Sequence, residues 1–219
     1  MSESPQYQSL VSEHERLCRD LLPVEFVTSG IYPDNVITAT IAYRLLSHAE
    51  IETYLEERAS ETALAAVKAW EDKRRASKTL LGLLAFSGPN IKSEPNTLDL
   101  SQPDKSGDWK DKIQLSKRLK NAINVFIHAI RNNNGIREDN IYCLLLPIGV
   151  ELSDLDPILI TDLDSFGVRR GEAAHTSSRK YRASQQVNPK DELDKVKSII
   201  LRLNTVDEAI NALLLEING

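Results

Sequence analysis

The chain has 219 residues, with 27 basic and 32 acidic side chains and a net charge of −5 at neutral pH. That length holds one sizeable core or two small ones and is too short for a large multidomain enzyme. The 41 % apolar and 27 % charged composition is that of an ordinary globular protein; 5 % aromatics and nine glycines exclude an aromatic-rich sandwich or a glycine-built fibre, and the acidic balance disfavours a uniformly basic polymer-coating protein.

The first residues, MSESPQYQSL, lack a basic start and an apolar run, and no stretch of 18 uncharged apolar residues follows, so a cytoplasmic protein without membrane contact is expected. Residues 8–22 place Leu10, Leu17 and Leu21 near one side of a helix that Pro23 stops. Cys18, and Cys143 far downstream, form neither a CxxC pair nor a disulfide framework and read as small buried hydrophobes. After Gly30 and Pro33 a run rich in Ala, Leu and Glu spaces Ile41, Leu45, Ala49, Tyr54 and Leu55 as an apolar helical face. Uninterrupted, this helix would reach nearly forty residues, so a division near Ala59, Ser60 and Glu61 is expected before it resumes through Trp70.

Residues 88–109 combine three prolines with glycines and small polar residues and predict a loop excursion, suited to contacting a controlling partner, shielding the bundle or filling a dimer groove. Helical period returns at Leu115, Leu119, Ile123, Phe126 and Ile130 and ends at the tract from Asn132 to Gly135. The run IYCLLLPIGV suits a short helix better than a strand, with Pro147 interrupting either. From Asp162 to His175 a helix would bury Leu163, Phe166, Ala173 and Ala174 and expose an arginine-rich surface, locally weakened by two glycines. The last helix repeats Leu193, Val196, Ile200, Leu203, Ile210, Leu214 and Ile217, and the missing apolar member at Asp207 argues against a simple coiled coil. The whole predicts an all-α elaborated bundle of four to six helices over 35–219, with residues 1–34 as a helical extension.

The four histidines, His14, His48, His128 and His175, form no HExxH or compact metal-ligand cluster, so neither a metal nor another cofactor is expected. His48 is within one helical turn of both Arg44 and Glu52, a spacing common among surface pairs. His128, flanked by Phe126, Ile127, Ala129 and Ile130, reads as a half-buried imidazole. The most informative stretch is SFGVRRGEAAHTSSRKYR, where Arg169 and Arg170 put fixed positive charge near His175, a group that titrates around neutral pH. On an ideal helix Arg170 and His175 lie about 140° and about 7.5 Å apart, and Arg169 is comparably placed, so spacing leaves the choice of arginine open. Residues 164–190 hold six basic and two acidic side chains, net +4, which leaves −9 elsewhere. Within them Arg179, Lys180, Tyr181 and Arg182 could contact phosphates and stack a base.

Arg170–Gly171–Glu172–Ala173–Ala174–His175, an arginine and a histidine separated by four residues, together with YRLLSHAEIETYLEERA at 43–59, resembles the HEPN superfamily over residues 35–216, and its RiboL-PSP-like branch in particular. The resemblance implies a helical bundle and a metal-independent endoribonuclease that cleaves by attack of the RNA 2′-OH, leaving a cyclic phosphate and a 5′-hydroxyl. It implies catalytic roles for Arg170 and His175, with Arg169 as the alternative arginine and with Glu172, Glu52 and His48 as supporting residues. It also implies a homodimer in which two Arg/His sets meet, and control by an antitoxin, a nucleotidyltransferase or a defence-system partner, as in toxin–antitoxin or antiphage systems. Many members carry a polar residue after the motif arginine, whereas Gly171 follows Arg170 here. The alternative reading is a catalytically inactive regulator or scaffold that binds RNA or a partner protein.

Overall fold

The computed structural model describes residues 2–27, 31–88, 115–173 and 187–219, and residues 174–175 by their backbone alone. Among the described residues seven α-helices follow one another: α1 Pro5–Leu21, α2 Asp34–Lys73, α3 Lys78–Phe86, α4 Leu115–Arg131, α5 Glu138–Leu145, α6 Pro157–His175 and α7 Pro189–Asn218. A single 3-10 turn, Leu152–Asp154, separates α5 from α6, and no strand occurs among the described residues. The fold is an all-α multi-helix bundle, as the periodicity requires. Apart from Gly88, the expected 88–109 excursion lies outside the described residues. No described helix is long and apolar enough to cross a membrane.

The bundle is built around α2, against which α1, α3, α4, α5, α6 and α7 all pack. Contrary to the expected break at Ala59–Glu61, α2 runs unbroken for 40 residues, about 60 Å. Ala59, Ala63 and Ala66 are fully buried there, and the Thr62 hydroxyl donates to the Arg58 carbonyl at 2.8 Å, within the helix. Packing from α1 and α7 along this stretch supplies what an isolated long helix lacks. The buried stripe also differs from the apolar count. Ile41 and Leu45 are half-buried and Ala49 is exposed, while Tyr43, Ser47, His48, Ile51, Tyr54, Leu55, Arg58 and Thr62 face inward. Tyr43, Arg44, Tyr54 and Arg58 belong to this face because α1 and α7 provide polar partners for them, and hydrophobic periodicity cannot register such positions.

Local chemistry sets the other ends. Ser4 caps α1 by accepting from the Tyr7 N–H, with Pro5 at the first turn. The short helix read in IYCLLLPIGV is α5, closed by Pro147 and by Gly149 at φ +98°. Helix α6 starts five residues before Asp162, because Asp156 accepts from the Ile158 N–H at 2.9 Å. Its Leu163 and Phe166 are buried and Ala173 is half-buried; the side chain of Ala174 lies outside the described set. Cys18 is half-buried and Cys143 exposed, so neither is the fully buried hydrophobe expected, and both are free.

Asp207, the apparent gap in the apolar pattern of α7, is fully buried and ties both ends of the chain together. Its carboxylate accepts from the Ser4 N–H (2.8 Å), the Ser4 hydroxyl (2.6 Å), the Tyr54 hydroxyl (3.0 Å) and the Asn211 amide (3.1 Å). Arg58 Nε lies 3.1 Å from the same carboxylate, as an ion-pair contact rather than an aligned hydrogen bond.

Candidate functional site

The candidate site forms where α2 meets α6 and α7. His48 is 1 % exposed, and its ring rests against Phe166 of α6 at 5.9 Å between centroids. Its Nδ1 is 3.6 Å from Glu52 Oε2, too far for a hydrogen bond, and has no hydrogen-bond partner among the described residues. Burial, reinforced by the charge of Arg170, lowers its pKa to about 4. His48 is therefore a neutral buried imidazole at pH 7, not a member of a surface ion pair. Arg44, the other residue in reach by spacing, turns away to form two hydrogen bonds to Glu192 of α7, at 2.8 and 2.6 Å, with both side chains almost fully buried.

Glu52 stands between His48 and the C-terminal end of α4. Burial and the neighbouring Glu56 raise its pKa, while Arg170 opposes the shift. The Asn133 amide donates to Glu56 at 2.8 Å, to Glu52 at 3.4 Å and to the Gly135 carbonyl at 3.0 Å, and its own oxygen accepts from Asn140 at 2.9 Å. Asn133 thus fastens the end of α4 and the start of α5 to the acidic side of the site. In the sequence the Asn132–Asn134 run signals only a helix terminus; the carboxylates it meets lie 77 and 81 positions away.

Geometry separates the two arginines that spacing leaves equivalent. Arg169 is directed inward, its Nη1 3.6 Å from the Glu192 already held by Arg44. Arg170, turned by about 100° along α6, is half-buried and is the cation that shifts both His48 and Glu52. Among the described residues it forms no ion pair. Glu172 is exposed. The backbone of His175 closes α6, while its side chain, like Arg179, Lys180, Tyr181 and Arg182, lies outside the described residues.

The remaining histidines have other surroundings. His14 is buried with Nε2 2.8 Å from the Tyr43 hydroxyl, and burial lowers its pKa. His128 is exposed rather than half-buried, because α4 buries Leu119, Ala122, Ile123, Phe126 and Ile130 on its opposite side. No group of three or more His, Cys, Asp or Glu side chains among the described residues is arranged to hold a metal. A surface hollow of about 270 Å³ between α3, α4 and α5 is walled by apolar groups such as Leu83, Phe86, Val125 and Phe126, and shares no lining residue with the Arg170 cluster.

No protein-family model, curated protein or solved structure matches the chain.

Proposed function

We propose that the chain is a cytoplasmic, metal-independent endoribonuclease whose reacting groups are Arg170 and His175. The observation that carries this reading is the division of labour between the paired arginines. Arg169 is engaged with the buried Arg44–Glu192 pair, whereas Arg170 stands without an ion-pair partner among the described residues, five residues before His175 and near the C-terminal end of the same helix. A fixed cation beside a group that titrates near neutrality is what phosphoryl chemistry at RNA requires. The ribose 2′-OH attacks the adjacent phosphorus and the 5′-oxygen leaves. His175 moves the proton, and Arg170 stabilises the negative charge that develops on the phosphate. His48 is too weak a base at neutral pH for that role and acts as a positioning residue, held between Phe166 and Glu52 within electrostatic reach of Arg170. A second copy of the chain would bring a second Arg/His set to the same phosphate, and a partner protein would hold the activity in check.

The test is cleavage of unmodified RNA by purified protein in excess chelator. Wild type is expected to cleave, and Arg170→Ala and His175→Ala to lose cleavage while keeping wild-type melting curves. Arg169→Ala is expected to lower stability, because it removes a cation from beside buried Glu192. RNA bound without product by wild type would favour the inactive-scaffold reading, to which Gly171, in place of a polar residue after the motif arginine, lends support.

A further inference from the structure

We propose that the outward face of α4 is a binding track for a single-stranded RNA backbone leading to the Arg170 cluster. Helix α4 contains Lys117, Arg118, Lys120 and Arg131 and no acidic residue, a charge of +4 in a chain whose total is −5. At about 100° per residue, Lys117, Lys120, Asn121, Asn124, His128 and Arg131 fall within a sector of roughly 100°. All six are exposed, on the side opposite the buried Leu119, Phe126 and Ile130. A solubilising helix face ordinarily interleaves both signs of charge. This one joins cations to asparagines, which donate and accept hydrogen bonds, and to a histidine, a set suited to phosphates, ribose hydroxyls and base edges. An acidic protein surface would satisfy the cations but would not call for the asparagines.

The position of the stripe gives the second argument. From Lys117 to Arg131 it spans about 21 Å. It ends two residues before Asn133, whose amide is bonded to Glu56 and to Glu52, the latter being the carboxylate next to His48 on which Arg170 acts. Lys120 and Arg131 form no ion pair among the described residues. Taking RNA as the ligand rests on the nuclease reading above; the track itself requires only that a polyanion follow α4 to the cluster.

The probe is a 15-nucleotide oligouridylate carrying 2′-O-methyl groups, which cannot be cleaved by 2′-OH attack, and binding to full-length protein is measured across a salt series. For the exposed pair Lys120→Ala/Arg131→Ala we expect binding weakened on the order of tenfold at physiological salt and a log–log salt slope reduced by about 1.4, at about 0.7 for each phosphate no longer neutralised. Asn121→Ala/Asn124→Ala should weaken binding with the slope unchanged, and Arg19→Ala/Lys68→Ala, equally exposed but off the track, should change neither. An unchanged slope in Lys120→Ala/Arg131→Ala, or an equal loss in the Arg19/Lys68 variant, overturns the track. Equally tight binding of polyglutamate, with the same loss in the stripe variant, overturns RNA as its ligand. The two proposals fail separately: tight stripe-dependent binding with unmodified RNA left intact refutes the nuclease and keeps the track, whereas cleavage with a stripe-independent slope does the reverse.

Discussion

Replacing Asp207 by alanine removes the acceptor on which four hydrogen bonds and one ion pair converge. Arg58 is 1 % exposed and would keep Asn211, at 2.6 Å, and Glu61, so it would not be left wholly unpaired. Removing one partner of a buried pair costs about 3–5 kcal/mol, and the retained contacts put Arg58 at the low end of that range. The Tyr54 hydroxyl adds about 1–3 kcal/mol as a stranded buried donor; burial first, and then Asp207, hold its proton in place. Ser4 is the cap residue before the first turn of α1, where its N–H and hydroxyl can turn to water, so its contribution is smaller. We expect a loss of about 4 kcal/mol, equivalent to a fall in Tm of roughly 8–16 °C for a chain of this size. Urea denaturation of wild type, Asp207→Ala and the paired Arg58→Met/Asp207→Leu measures it. The paired variant should recover about 2 kcal/mol or more of the loss, because an apolar pair strands no charge. A loss below about 1 kcal/mol for Asp207→Ala, the range of an exposed ion pair, would refute the assignment of this node as a buried anchor of both chain ends.

Other outcomes follow from particular contacts. A Cβ on Gly82 would sit 2.6 Å from the Pro147 carbonyl oxygen, so Gly82→Ala should cost about 1–3 kcal/mol in urea. Gly167→Ala should cost less, since its 2.8 Å contact is with Cγ of the Arg137 side chain, which can shift. His48 titrates near pH 4 in the fold against 6.5 in the unfolded chain, so the unfolded state takes up its proton first as pH falls. Stability is then full above about pH 6.5 and falls by roughly 2–4 kcal/mol down to about pH 4; His48→Gln should flatten this slope in pH-dependent melts, leaving the smaller share of His14, whose shift has the same sign. Glu52 is shifted in the opposite sense, its carboxyl favoured neutral in the fold, so Glu52→Gln should raise Tm at pH 7.

The helices are legible in the sequence wherever burial is apolar. Leu119, Ile123, Phe126 and Ile130 on α4, and Val196, Ile200, Leu203 and Ile210 on α7, occupy the buried face that their spacing predicts. The pattern fails where buried polar side chains pair across distant segments. Arg44 with Glu192 and Arg58 with Asp207 are separated by about 150 positions, so neither pair leaves a local signature, and apolar spacing alone draws the inward face of α2 too far toward Ile41 and Ala49. The same blindness applies to the site. The Arg169–Arg170 pair and the spacing to His175 are visible in the chain, but the choice between the arginines depends on Glu192 and His48, which only folding brings to them. The immediate neighbours of His128 are apolar and suggest partial burial, yet at helical period they point elsewhere and leave the imidazole exposed.

The most direct measurement of the central claim is the chemical identity of the RNA ends formed in excess chelator by wild type, with Arg170→Ala and His175→Ala as matched preparations. Attack by the 2′-OH assisted by Arg170 and His175 predicts a 2′,3′-cyclic phosphate on one fragment and a 5′-hydroxyl on the other, both missing from the two variants. Intact RNA with wild type, 5′-phosphate ends, or equal cleavage by the His175 variant would contradict it.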